Sequence, residues 1–485
     1  MQESQSRLST LSVPGALLAG LLLAGCVTPL RSSLPAPDAD PAVTATTAGL
    51  QAADQTWREA AWWKQFADPQ LDRVVEQALA ANPDLDTAQA RAREAAANAG
   101  LAATKRQPSL DVGAQLSRQR LSDNGLIPPP FGGRWITQGL VSTQLLWTLD
   151  LFGAERDRIA AAQGRAEAAR LTAQFARGAT AAAAAKLYFE LGAAIADRDI
   201  VAATLEQRRA VLRITDSRVR AGLDSSAELR QSEAQVPALE LELAQAQERI
   251  ELARSQLAVL AGQSPAWASD LVPGAAAANA AADTWGLPAD LSTNLLAHRL
   301  DVMAAREQVT AAARAVDASR RDWFPNVNLA ASAGLDSTAL GRLFDAGSRT
   351  FSVGPALSLP LFDAGRRHSA TAAQRAAFDG AEAAYRKAVL IAVREVDDAV
   401  VQLRSSAQQR AAAFAAVTAE REALRLTQLR YDKGLAPLLS VLFEQDRVLA
   451  LERRAAQLDA RARVLRVQLE EALGAGLRTD SGESS

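Results

Sequence analysis

Residues 226–260 read SAELRQSEAQVPALELELAQAQERIELARSQLAVL, and residues 438–472 read LLSVLFEQDRVLALERRAAQLDARARVLRVQLEEA. In the first stretch Leu229, Ser232, Val236, Leu239, Leu243, Ala246, Ile250, Ala253, Leu257 and Leu260 follow alternating steps of three and four. Adding 212 to each number lands on Val441, Glu444, Val448, Leu451, Ala455, Leu458, Ala462, Leu465, Leu469 and Ala472. Ser232 and Glu444 are the only polar members, and Glu444 is the only charge. A sustained three–four seam describes helices packed as coiled coils. Two seams at a fixed spacing describe one unit written twice. Pro237 lies inside the first, where it either bends the helix or interrupts it.

Outward from the seams the duplication continues. Ala99 to Pro108 pairs with Val316 to Pro325, and Asp84-Leu85 pairs with Asp301-Val302, at an offset of 217. Asp150-Leu151-Phe152 pairs with Pro360-Leu361-Phe362, and Arg218-x-x-x-Gly222-Leu223 with Arg430-x-x-x-Gly434-Leu435. Each copy reads helix, strand, strand, helix, turn, helix. The first strand pair is expected at 109–120 and 136–149, the second at 326–335 and 350–361. Val112, Ala114 and Leu116, like Val141, Leu145, Trp147 and Leu149, share a parity opposite to polar or small residues. This alternation suits a wall with lipid on one side and water on the other, and equally a hairpin half-buried on a soluble core. The spans from about 153 to 221 and from 363 to 433 predict two helices on the order of 100 Å long. Four strands are too few for a closed membrane barrel, which needs at least about eight. A membrane reading therefore requires several chains.

Composition agrees. Hydrophobic residues make up 48% but aromatics only 5%, with Ala dominant, which favours close-packed helices over thick cores. A formal charge of −2 gives no field that favours nucleic acid. One Cys and two His, His298 and His368, exclude an internal disulfide and a Cys/His zinc cage. They also leave little material for a nucleophile–histidine centre. No Gly-x-x-x-x-Gly-Lys-Ser/Thr loop is present. The expectation is a non-enzyme without metal or dissociable cofactor.

The leader carries Arg7, an apolar run from Leu11 to Ala24, and small residues before Cys26, the order of a secretory signal. Leu23-Ala24-Gly25-Cys26 resembles the lipobox of bacterial lipoproteins, which implies acylation of Cys26 and, with Val27 next, retention at the outer membrane. A non-lipidated leader is the alternative. The expected organisation is a signal peptide (1–25), a lipid-anchored tether rich in Pro, Ala, Thr and Ser (26–60), a first repeat (61–265), a linker (266–285), a second repeat (286–475) and a disordered tail (476–485). The turns around Gly222-Leu223 and Gly434-Leu435 are candidates for contact with a partner; the plainer reading is that glycine only reverses the chain. Trp62, Trp63, Trp135 and Trp147 are candidate interfacial anchors. Arg453, Arg454, Arg461, Arg463 and Arg466 read as a solvated or interhelical charge face.

Several segments resemble the TolC-type outer-membrane factors, especially their lipoprotein branch. They are Trp62-Trp63-Lys64-Gln65-Phe66-Ala67-Asp68-Pro69-Gln70-Leu71, Ala81-Asn82-Pro83-Asp84-Leu85, and His298-Arg299-Leu300-Asp301-Val302, where Leu300 replaces the family's usual Pro. Trp147 to Gly153, Ala318 with Phe324-Pro325, and Leu359 to Gly365 add to the likeness. The resemblance implies a mainly α fold with membrane β: a homotrimer whose twelve-stranded β-barrel, four strands per chain, continues into an α-barrel tunnel. It also implies a periplasmic adaptor, an inner-membrane pump of the RND type, contact with outer-membrane lipid, and export of small molecules. Protein or metal-ion export, and a non-conducting periplasmic scaffold, are the alternatives. Tyr431 matches a family position that takes part in closing the tunnel. Ser440 and Phe443 fall where the family often has carboxylates, so the expected aperture is Tyr431, Phe443 and Glu444, with a solvated-face role as the rival reading of these residues.

Overall fold

The computed structural model describes residues 61–125, 130, 132–273 and 299–474. The leader, Cys26, the tether, most of the linker, His298 and the tail lie outside the described residues. The elements are α1 (Pro69–Ala81), α2 (Pro83–Thr104), β1 (Ser109–Arg120), β2 (Trp135–Leu149), α3 (Ala154–Arg220) and α4 (Ser226–Leu260), then α5 (Leu300–Arg321), β3 (Asn326–Ser337), β4 (Arg349–Ser358), α6 (Arg366–Asp432) and α7 (Leu438–Ala472). The two 67-residue helices, α3 and α6, and the two 35-residue helices, α4 and α7, match in length to the residue. β3 runs on to Ser337, while β4 stops at Ser358, before the expected end at 361. Pro360, two residues on, has no amide to donate to a ladder.

Side chains of the two seams are buried or half-buried throughout. Helix α4 continues unbroken through Pro237, whose ring is exposed on the face away from the seam, so the interruption does not occur. Helix α3 packs against α2, α4, α5 and α7, and α6 against α5 and α7, so the two repeats meet along α3. The four strands form one antiparallel sheet in the order β1-β2-β3-β4.

The thickest core lies where the chain's first described residues wrap the long helices. Trp62, Trp63, Phe66, Leu71, Val74 and Val75 pack on Ala181, Ala182, Ala184, Ala185, Tyr188 and Leu191 of α3. The alanine run leaves room for the indoles. Trp62 and Trp63 are therefore core residues, not interfacial anchors; their indoles meet edge to face at 5.9 Å. Asp68 caps α1 by accepting from the amides of Gln70 and Leu71, and also accepts from Tyr188 Oη at 2.8 Å. Asn82 caps α2 and donates to the Leu260 carbonyl at 2.8 Å, tying α2 to the end of α4. Leu300 stands at the first helical position of α5, where proline is favoured but any residue serves.

The charge face on α7 is mixed: Arg454 and Arg461 are exposed, Arg463 and Arg466 pair with Asp459 and Glu470 of α7 itself, and Arg453 crosses to other helices. Arg453 donates to Asp197 of α3 (2.6 Å) and Glu242 of α4 (2.6 Å), and Arg410 of α6 reaches Asp459 at 2.8 Å. Glu470 is 1% exposed, 3.6 Å from Arg466, and burial raises its carboxyl to about 7. A raised carboxyl favours the folded state below the unfolded value of 4.5, and that stability is lost as pH rises through about 7. The loss is on the order of 3 kcal/mol. Thermal unfolding at several pH values should show wild type weakening between about pH 4.5 and 7, and Glu470→Gln weakening distinctly less. Equal slopes would refute the assignment.

Candidate functional site

Two regions of the described chain carry the features of a conduit: the sheet and the helix turns farthest from it. In the sheet, register places Leu110, Val112 and Leu116 opposite Leu145, Thr143 and Gly139, and Leu145 opposite Ala331, which faces Val353. Ile136, Leu140 and Leu146 of β2 lie on the other face, but this one gathers most of the large apolar side chains of the four strands, including Val141, Trp147, Leu329, Phe351 and Leu357. Its exposed members include Val112, Phe351 and Val353, each at least 75% accessible. The opposite face carries Asp111, Gln115, Gln144, Asn328, Ser332, Ser352 and Asp336. There Gln138 donates to Asp336 at 2.9 Å, and the Ser332 and Ser352 hydroxyls lie 2.7 Å apart across β3 and β4. Trp147 points its indole nitrogen to the Arg106 carbonyl at 3.0 Å, at the helix end of the apolar face. Among the described residues no helix is long and apolar enough to cross a membrane. One apolar and one polar face is the pattern of a β-wall between lipid and water.

The turns lie one length of α3 away from the sheet, about 100 Å. Both close identically. The Gly222 amide donates to Val219 and the Leu223 amide to Arg218, and Gly434 and Leu435 repeat this with Tyr431 and Arg430. Gly222 and Gly434 share a φ of +72°, which a side chain would strain. Ser225 then opens α4 with a reciprocal capping box to Glu228, whereas Pro437 precedes α7 without one. Leu223 and Leu435 project outward, 67% and 70% exposed.

Just inside the turns the repeats are joined. Tyr431 is buried with Leu438, Val441 and Leu442, against Val211 of α3. The Arg218 guanidinium lies 5.2 Å from the Tyr431 ring centre and grips Asp224 through two hydrogen bonds of 2.8 and 2.9 Å. Burial, and then the Asp224 carboxylate, raise the Tyr431 phenol above its usual value, so it stays neutral. Arg208, almost fully buried, crosses the same joint to Asp446 (2.6 Å) and the Leu442 carbonyl (3.1 Å). Glu444 belongs to a separate group. Arg447 reaches Glu420 of α6 at 3.1 Å and Glu444 at 3.6 Å, and lies 5.9 Å from the exposed Phe443 ring. A hydrogen bond with the Glu444 carboxyl, and then burial, raise Glu420 above the usual range, with Arg447 opposing. Phe443 and Glu444 are thus joined through Arg447, and Tyr431 stands apart at the α3 joint.

The sequence pattern of outer membrane efflux proteins matches residues 74–263 and 291–475, most of the chain and one match per repeat. The chain belongs to the outer membrane efflux protein family. Among relatives, multidrug resistance outer membrane protein MdtP of Escherichia coli K12 is 31% identical over 97% of both chains. Of solved structures, the outer membrane protein VceC of Vibrio cholerae is 30% identical, with a TM-score of 0.79 over 86% of this chain and 99% of that one. The outer-membrane channel OprN is 27% identical, with a TM-score of 0.80 over 89% and 95%.

In this outer membrane efflux protein, the residues that sequence reasoning missed are the long-range partners. Arg218 was visible only as part of a repeat match, and Asp224 only as a turn residue. Arg208 and Glu420 carry no local signal, because each is explained by a partner dozens or hundreds of positions away; Arg447 is one helical turn from Glu444, but its link to Glu420 is just as distant. Asp224→Asn removes the ion pair with Arg218, and Tyr431→Phe leaves the joint's packing intact. In single-channel recordings Asp224→Asn should raise conductance or open time relative to Tyr431→Phe; identical traces for Asp224→Asn and wild type would show that this joint does not restrain conduction.

Proposed function

We propose that three copies of this chain form the exit duct of a tripartite efflux system, exporting small molecules from the periplasm across the outer membrane. The observation that carries this reading is the two-faced sheet with both edges open, joined directly to duplicated helices about 100 Å long. Three sheets supply twelve strands, enough to close a barrel; one supplies four. The polar faces then line a bore, and the helices continue that bore away from the membrane. Such a duct performs no chemistry. It lowers the barrier that lipid presents to polar and charged solutes, and the driving energy comes from an inner-membrane pump, of the RND type in this reading. A periplasmic adaptor links the two at the exposed Leu223 and Leu435 turns.

The names of MdtP and the efflux family support drug-like cargo over proteins or metal ions. Acylation of Cys26, with no other cofactor, anchors the amino terminus in the outer membrane. The Arg218–Asp224–Tyr431 joint holds the first repeat against the second at the periplasmic end. Closing the tunnel there, with Phe443 and Glu444 further along α7, requires the joint to hold, and docking of a partner at the neighbouring turns is positioned to release it.

Reconstitution in a planar bilayer tests this. Stepwise ionic current from purified trimers is the expected result; well-folded trimers that never conduct would leave the scaffold reading in place.

A further inference from the structure

At the end of the sheet away from the helices, the segment between β3 and β4 folds back over the apolar face. A side chain built at Gly139 would lie 3.3 Å from Leu343 and 3.5 Å from Leu340. Gly139 pairs with Leu116, so its side-chain direction is that of the lipid-facing wall. The segment therefore leans outward, not into the bore. Leu343 is buried by this contact, whereas Leu340 is half exposed and Phe344 is 81% exposed. The fold of the segment is braced from within. Ser348 Oγ donates to the Arg342 carbonyl at 2.8 Å, Ser337 Oγ to the Ala339 carbonyl at 2.9 Å, and the Leu343 amide to Leu340 at 3.2 Å. Phe344, and the outer half of Leu340, stay uncovered by the described residues.

Basic side chains ring the same rim. Arg349 pairs with Leu335 and Arg118 lies two residues beyond Leu116, so both stand on the apolar face. Arg118 lies 5.7 Å from the ring centre of exposed Trp135. Arg342 and Arg349 are exposed and form no ion pair among the described residues; Asp345 is the segment's own carboxylate and is likewise unpaired there. Arginine directly above an apolar wall matches a ligand with acyl chains below and an anionic group above.

We propose that this rim binds a phosphorylated lipid headgroup of the outer leaflet, with Leu340 and Phe344 set among its acyl chains and Arg118, Arg342 and Arg349 on its phosphate. The proposal rests on the apolar face being the lipid face. Continuity with that face selects lipid over a soluble anion, and guanidinium groups suit the phosphate because they donate in pairs. β1 and β4 are the free edges of the sheet, so barrel closure sets the Arg349 edge of one copy against the Arg118 edge of the next. The phosphate site then spans two copies.

The test uses full-length channels in phosphatidylcholine vesicles with and without phosphatidic acid. The triple variant Arg118→Gln, Arg342→Gln, Arg349→Gln should retain phosphatidic acid about tenfold less than wild type, with unchanged conductance. Phe344→Trp should add fluorescence that brominated lipid quenches. Equal retention, an unquenched added indole, or full displacement of the lipid by inorganic phosphate would each overturn the proposal while conductance persists. Wild-type protein that does not conduct at all would instead overturn the membrane reading beneath it.

Discussion

Along the outer edges of β1 and β4 the backbone amides and carbonyls have no strand beside them within the described chain, and lipid offers no substitute. An unsatisfied backbone group in hydrocarbon costs several kcal/mol, and each edge carries a row of them. This constraint organises the rest. A sheet with lipid on one face and water on the other has no stable open form in a membrane, so its edges must be joined by further copies. The duplicated helices follow the same logic. Four long rods with alanine-rich seams enclose nothing alone, but arrayed around an axis they extend the bore that the strands begin.

The two ends of the molecule are built with different chemistry. The sheet is held by its ladder and by apolar burial in lipid, interactions that barely respond to small changes in side-chain position. The turn end is held by a few directional contacts: Arg218 on Asp224 and beside Tyr431, Arg208 on Asp446, and Arg447 between two carboxylates. Directional, half-solvated contacts are easily exchanged for contacts with another chain. A rigid membrane end and an exchangeable periplasmic end are what a docked conduit needs.

Elements, repeat and sheet parity were legible in the sequence because each is periodic. The 212-residue offset aligns seam with seam, and alternation in β1 to β4 survives translation into faces without exception at Val112, Val141, Leu329 and Val353. Residues that act through distant partners were not legible. Trp62 and Trp63 looked like membrane anchors because an aromatic pair near a chain start gives no sign of the alanine run at 181–185 that accommodates it. Glu444 stood out as a lone charge in a seam, and Arg447 lies one helical turn from it, yet its meaning depends also on Glu420 of α6, which no spacing rule connects to it. The outward lean of the β3–β4 segment likewise depends on Gly139, roughly two hundred residues earlier, leaving space for Leu343.

The number of chains in the conducting particle tests the central claim most directly. Native mass spectrometry of protein released from conducting membranes should give a mass of three chains and no stable single-chain species. A monomer that conducts, or a folded monomer with its strand edges covered by its own helices, would contradict the account.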